Sequence, residues 1–194
     1  LAEVPPTSAY HFFPTKESVF LGLAERYLET MHRALQQPFD RDAIERWQDL
    51  VRLRYYRVVD YFNANLCARK LFLGMGILSD IKKLDLEDID KIAASTYASM
   101  NQYFEMPYVR DPSFKFTLAY ALHDGIWMSS YGKFGHITPE FASEGLRAHL
   151  AYISTFLPDT IALRAPPPED GARDSKPELA AAPPRRRRGA AGGA

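Results

Sequence analysis

The stretch Val4-Pro5-Pro6-Thr7-Ser8-Ala9-Tyr10-His11-Phe12-Phe13-Pro14-Thr15-Lys16-Glu17 decides how the chain is read. It predicts a short helix, a sharp break and the start of a long helix. Pro6 suits the first position of a helix, where its missing N–H is an orphan in any case. Phe13 precedes Pro14, and the residue before a proline is pushed out of helical geometry. Only about two turns lie between them, too few to hold a helix without neighbours. On that short helix Ala9 and Phe13 are expected to face inward, and Thr7, Tyr10 and His11 outward. Thr15 then caps the helix that follows. A short helix with a hydroxyl, a phenol and an imidazole on its exposed side suits insertion into a major groove.

Working outward, prolines punctuate the rest of the body at positions 38, 107, 112, 139 and 158, and the segments between them read as helices. Thr15 to Gln36 carries Phe20, Leu23, Tyr27, Met31 and Leu35 at three- and four-residue spacing, the period of a one-sided helix. Asp42 to Phe62 repeats the pattern with Ile44, Trp47, Val51, Tyr55, Val58 and Phe62. A short helix is expected over Ala68 to Leu73, closed by Gly74 and Gly76. The next runs from Asp85 to Phe104, with Asp85, Glu87 and Asp88 in a first turn that suits the positive end of the helix dipole. Ser113 to Phe134 is richly apolar and ends at Gly135. Thr138-Pro139-Glu140 supplies an N-cap, a first-position proline and an acidic first turn for a helix that runs to Leu157. No alternating run bounded by tight-turn pairs is present, so the expected fold class is all-α.

The chain has 194 residues, of which 46% are hydrophobic and 25% charged, a composition that excludes wholesale disorder and a collagen-like chain. Its apolar stretches are broken every few residues by Arg, Lys, Asp or Glu, so no membrane span is expected. Cys67 is the single cysteine, so no intrachain disulfide is possible and a cytoplasmic, reducing setting is expected. From Pro166 to Ala194 there are six Pro, four Gly, seven Ala and one large aliphatic residue, Leu179. Such a tail buries too little apolar surface to order itself and is expected to be disordered. Its run Arg185-Arg186-Arg187-Arg188 is open between phosphate contact and a solvated tail without a role. The whole chain has no net formal charge, and bulk electrostatics therefore names no partner. The chain opens on Leu1 and is expected to begin inside a longer protein.

Catalytic patterns are scarce. The five histidines are His11, His32, His123, His136 and His149, and no two have the spacing of a helical zinc site. Cys67 has no CxxC partner, and phosphate-cradling glycine loops and nucleophile elbows are missing. The acidic run Asp85-Leu86-Glu87-Asp88-Ile89-Asp90 does not fit a calcium loop, which needs glycine sixth and glutamate twelfth; here those are Asp90 and Thr96. No catalytic residue, metal or cofactor is assigned, and the chain is not expected to be an enzyme.

Val4 to Val19 resembles the second half of the helix-turn-helix of the tetracycline-repressor (TetR) family of bacterial transcription regulators. Val4 matches the turn valine of that family. Tyr10, His11 and Phe13 match the tyrosine, the variable polar position and the buried phenylalanine of its recognition helix. Pro14, Thr15, Lys16, Glu17 and Val19 complete the pattern, while Pro5, Ala9 and Phe12 depart from it. The resemblance implies a TetR-like helical bundle, whose last two helices form a homodimer interface, and a double-stranded DNA operator as partner. It implies that Pro6, Thr7 and Ser8 approach base edges or phosphates, and that Tyr10, His11 and Lys16 contact the DNA backbone. It divides the chain into residues 1–36, a partial helix-turn-helix domain with its linker helix, 37–165, a ligand-binding and dimerisation domain, and 166–194, the tail. Two helices of such a DNA-binding domain lie mostly before the turn, so this chain alone is expected to bind DNA poorly or not at all. The resemblance implies a repressor controlled by a small-molecule effector; the alternative is a helical ligand-binding or interaction module without DNA binding.

A ligand-responsive body needs a pocket between helices. Candidate lining residues are Trp47, Arg54, Tyr55, Phe62, Phe72, Tyr97, Met100, Phe104, His123 and Trp127, against the reading that aromatic residues at helical spacing are simply core. Arg54 is open between a carboxylate ligand, a pair with Asp124 and solvent. The expected dimer helices are Ser113–Phe134 with Leu118, Leu122, Ile126 and Trp127, and Thr138–Leu157 with Phe141, Leu146, Leu150, Ile153 and Phe156. Trp127 and Leu150 are expected to lie in that interface.

Overall fold

The computed structural model describes residues 13–165 except Met75. The proposed recognition helix, with Pro6, Thr7, Ser8, Tyr10 and His11, and the arginine-rich tail lie outside the described residues. Within them the chain is all-α: α1 (Lys16–Gln36), α2 (Trp47–Ala64), α3 (Leu66–Phe72), α4 (Ser79–Tyr103), α5 (Pro112–Phe134) and α6 (Pro139–Ile153), with a single 3-10 turn at Arg41–Ala43. No described helix is long and apolar enough to cross a membrane.

Most helix ends follow from local chemistry. Thr15 caps α1 through a reciprocal pair: its hydroxyl accepts from Ser18 N at 3.1 Å, and Ser18 Oγ accepts from Thr15 N at 3.2 Å. α1 buries Ala24, Leu28, Met31 and Leu35 along one stripe and stops at extended Gln37, just before Pro38. α5 opens with Pro112 at its first turn and closes at Gly135, whose φ of 73° is the left-handed conformation that favours glycine. Thr138 caps α6 as expected, accepting from Phe141 N.

Three expected boundaries are corrected. The helix expected from Asp42 is split: Asp40 Oδ1 accepts from Asp42 N at 3.1 Å and holds a single turn, and Ile44 then extends to bury its side chain. α2 restarts at Trp47, whose indole donates to Pro158 O at 2.8 Å and ties the helix to the chain beyond α6. The helix expected from Asp85 begins six residues earlier, at Ser79, because Ile81 is a core residue and anchors an extra turn. Asp85, Glu87 and Asp88 are therefore interior to α4 and cannot serve its dipole. α6 ends at Ile153 rather than Leu157, and turns carry the chain to Pro158. A strap then runs antiparallel to the end of α4, with Glu105 N bonded to Ala162 O and Arg164 N to Tyr103 O.

The helices bury two apolar clusters. One joins Leu28 and Met31 of α1 with Val58 and Phe62 of α2, Phe72 of α3, Ile81 and Ile92 of α4, Trp127 of α5 and Leu146 of α6. The other joins Trp47, Leu50 and Val51 with Met100, Phe104, Phe116, Ala119 and Ile153. α1 is thus seated on the body rather than standing apart from it.

Gly145 of α6 faces Tyr55 of α2 and Trp127 and His123 of α5. A Cβ there would overlap Tyr55 Oη and lie 3.3 Å from Trp127 Nε1 and 3.5 Å from His123 Cβ. Tyr55 is held by hydrogen bonds on both sides and cannot swing away. Gly145→Ala is expected to destabilise the protein by about 1–3 kcal/mol, the usual range for overpacking a filled core. Urea unfolding of the variant beside the parent measures this.

Candidate functional site

Between α1, α2, α4 and α5 lies a small cavity of about 40 Å³. Its apolar wall is Met31, Val58, Phe62, Phe72, Ile89, Ile92 and Trp127; its polar wall is Asp85, Asp88, Asp124, Tyr120 and His123. As it stands it has room for about three water molecules at most, since one water needs roughly 10–15 Å³.

The acidic wall is held from two sides. Lys82 Nζ lies 2.7 Å from Asp85 Oδ2 and 3.2 Å from Asp124 Oδ2, so one ammonium serves two carboxyl groups on two helices. Burial tends to lower the Lys82 pKa, but its two acidic partners outweigh that and raise it. Burial pushes Asp85 up to about 6; Lys82 opposes the shift, and Asp124 adds to it by like-charge repulsion. On the other side His32 of α1 places Nε2 2.7 Å from Asp88 Oδ1. Asp88 is buried, and its second oxygen, Oδ2, has no hydrogen-bond partner among the described residues. A buried polar atom left in this way costs about 1–3 kcal/mol, so the pattern calls for an explanation.

Tyr120 is committed in a way that fixes its proton. Thr96 Oγ1 donates to Ile92 O at 2.9 Å and lies 2.7 Å from Tyr120 Oη. A hydroxyl has one proton, so Tyr120 must donate to Thr96, leaving its own lone pairs free. Asp88 Oδ2 and Tyr120 Oη are therefore both acceptors.

Behind the cavity the buried polar groups pair with one another. Tyr55 Oη accepts from Trp127 Nε1 at 2.7 Å and donates to Ala142 O at 2.8 Å; burial raises its pKa strongly. His149 Nδ1 is 2.8 Å from Ala119 O, which only accepts, so His149 carries its proton there. His123 Nδ1 lies 3.1 Å from the same nitrogen. Burial pushes His149 down to about 4 and His123 well below its usual value, the latter helped by its neighbour. Both rings are neutral.

The expected ligand residues divide between places. Phe62, Phe72, His123 and Trp127 line the cavity, and Tyr55 backs it. Trp47, Met100 and Phe104 are core residues of the second cluster, and Tyr97 packs on Phe116, with ring centres 5.9 Å apart. Arg54 is buried and donates to Thr96, Ser95 and Ser99; it lies neither in solvent nor against Asp124, which pairs with Lys82. Lys16 is exposed at the start of α1. Trp127, Leu146 and Ile153, expected at a dimer interface, are buried within the single chain, and Leu150 is half-buried. The acidic residues of the cavity and Tyr120 were missed. Their signal was available: Ile81, Asp85, Asp88 and Ile92 follow at core spacing, so acids occupy two inward positions of α4. Among the described residues no group of three His, Cys, Asp or Glu side chains is placed to hold a metal ion. No family model, curated protein or solved structure matches the chain.

Neutral burial of two histidines has a sign in pH. The unfolded chain takes up their protons below about pH 6.5, while the folded protein does not. Their contribution is complete above that pH and falls on acidification towards pH 4, by about 1.4 kcal/mol per unit per ring. Asp85 acts oppositely, because its raised pKa favours the folded state below about 6. Two rings outweigh one carboxyl, so urea midpoints measured at pH 7, 6 and 5 are expected to fall with pH. A midpoint that holds or rises contradicts the neutral pair.

Proposed function

We propose that the protein is a ligand-responsive, DNA-binding transcriptional regulator of the TetR kind, acting as a repressor, whose effector enters the cavity between α1, α2, α4 and α5. One observation carries this reading. α1 runs directly from the segment that resembles a recognition helix, and it supplies both Met31 to the cavity wall and His32 to Asp88. A ligand that engages Asp88 and widens the cavity competes with the contact that fastens α1 to α4. It thereby biases the position of the helix that carries the DNA-reading segment, which is the differential contact a two-state regulator requires.

The cavity also indicates the effector's chemistry. Its free groups, Asp88 Oδ2 and Tyr120 Oη, are acceptors, its charged wall holds three carboxyl groups against one lysine, and the remaining wall is aromatic and aliphatic. An organic amine with an apolar body meets all three conditions: it donates, it is positive, and it fits against ring faces. The neutral His123 adds no competing charge.

A homodimer fits the same reading. The outer face of α5 presents Phe114, 62% exposed, and Leu122, 46% exposed, with exposed Ala121, Gly125, Ser129 and Gly132 along it. The charged residues of α5 are turned to other tasks: Asp124 pairs with Lys82, and Lys115 and Lys133 lie over Phe156 and Phe141. Two copies joined along this face suit an operator of two-fold symmetry. Leu122→Glu is expected to give folded monomers in sedimentation; an unchanged dimer rejects this face.

DNA binding is tested with protein expressed from its own gene and a probe covering its own promoter. Specific, salt-sensitive binding is expected, weakened about tenfold or more by Lys16→Ala and by Tyr10→Ala, as loss of charge-assisted phosphate contacts would do. Organic amines are expected to release the probe, and Asp88→Asn to abolish the response to the amine; because it also weakens the His32 contact, DNA affinity without amine is measured beside it. A well-folded protein that binds no promoter DNA points instead to a ligand-binding module.

A further inference from the structure

Among the described residues the buried guanidinium of Arg54 has no counter-charge. Arg54 is 3% exposed and makes no ion pair among the described residues. Its Nε donates to Thr96 Oγ1 at 3.2 Å, one terminal nitrogen to Ser99 Oγ at 3.3 Å and the other to Ser95 Oγ at 3.3 Å. Those bonds are long and use three of the five N–H groups of the side chain. Two N–H groups remain, one on each terminal nitrogen.

Arg54 forms one wall of a recess of about 280 Å³ bounded by the end of α1, by α2 and by α4. Ser95, Ser99, Gln36, Gln37 and Gln102 line it too, and no acidic side chain does. Ser95 and Ser99 accept from Arg54, so each keeps its own hydroxyl proton to donate. Arg57, one turn along α2, lies with its guanidinium 3.6 Å from the ring centre of Phe39, a further wall of the recess. Burial and the charge on Arg54 lower the Arg57 pKa. Arg57 itself is turned to the carbonyls of Ala34 and Gln37 and does not line the recess. The recess therefore gathers two guanidinium N–H groups and two hydroxyl protons, with no acidic side chain among the described residues lining it. Isolated buried charge of this kind is disfavoured unless a partner is supplied.

We propose that this recess is a binding site for a small oxyanion, held by Arg54 in the plane of its guanidinium and by the hydroxyls of Ser95 and Ser99. A carboxylate or a phosphate presents two oxygens at the spacing of the guanidinium's terminal nitrogens, and each oxygen accepts a further bond from a serine. The site is distinct from the cavity that holds Asp88 and has the opposite charge preference.

Calorimetry on the full chain tests this, with inorganic phosphate and with acetate as probes, each against sodium chloride at matched ionic strength. Saturable binding of one or both is expected, and which of them binds identifies the oxyanion. Arg54→Lys keeps the charge but loses the fork and is expected to weaken binding about tenfold or more. Ser95 is exposed and Ser99 half-buried, so the double variant Ser95→Ala, Ser99→Ala retains the fold and decides the matter even if Arg54 variants unfold. It is expected to weaken binding about tenfold or more, the usual effect of removing hydrogen bonds to a charged group. Asp88→Asn is expected to leave anion binding unchanged, which separates this site from the effector cavity. Heats no different from chloride, or binding undiminished in the double serine variant, overturn the proposal.

Discussion

The hydroxyl of Tyr55 stands where a side chain at residue 145 would otherwise be. It receives a proton from the Trp127 indole and gives its own to the Ala142 carbonyl. One atom thus joins α2, α5 and α6, and it does so only because Gly145 leaves the room. With those three helices fixed, Trp127 and His123 have one place to go, and the wall of the cavity is set. The partner set is closed, since every polar atom in this knot is used; removing a single member would strand another in an apolar interior.

Much of the architecture is legible in the sequence because it depends on short-range chemistry. Thr15 before Lys16, Thr138 before Pro139 and Gly135 after Phe134 mark helix ends by mechanisms that act within a few residues. The misplaced starts have the opposite origin. α4 begins at Ser79 because Ile81 finds a distant core, and the break near Ile44 exists because that side chain is buried against residues far along the chain. Periodicity reveals that such residues are apolar, not which neighbour they meet.

The candidate site follows the same division. Phe62, His123 and Trp127 are visible as aromatic residues on inward faces. The pairings that give the site its character are not: Asp88 with His32 spans 56 residues, and His123 with His149 spans 26. The acids at inward positions of α4 were the one local clue, and they were assigned to a helix start that lies elsewhere. Thr96 stands between the buried guanidinium of Arg54 and Tyr120 of the cavity wall. Its hydroxyl accepts from Arg54 and from Tyr120 at once, so a hydrogen-bonded path of three side chains connects the recess to the cavity.

The smallness of the cavity bears on time as well as on affinity. A space of about 40 Å³ cannot admit an organic molecule by diffusion alone. The effector proposed above would therefore enter only when packed helices separate, a motion on the microsecond-to-millisecond scale. Association then has a ceiling: at high concentration its rate levels off at the rate of opening and no longer follows the supply of ligand. For the effector proposed above, affinity would be reduced by the fraction of molecules open at any moment, so a change that favours the open state without touching the ligand's own contacts would tighten binding and quicken it together.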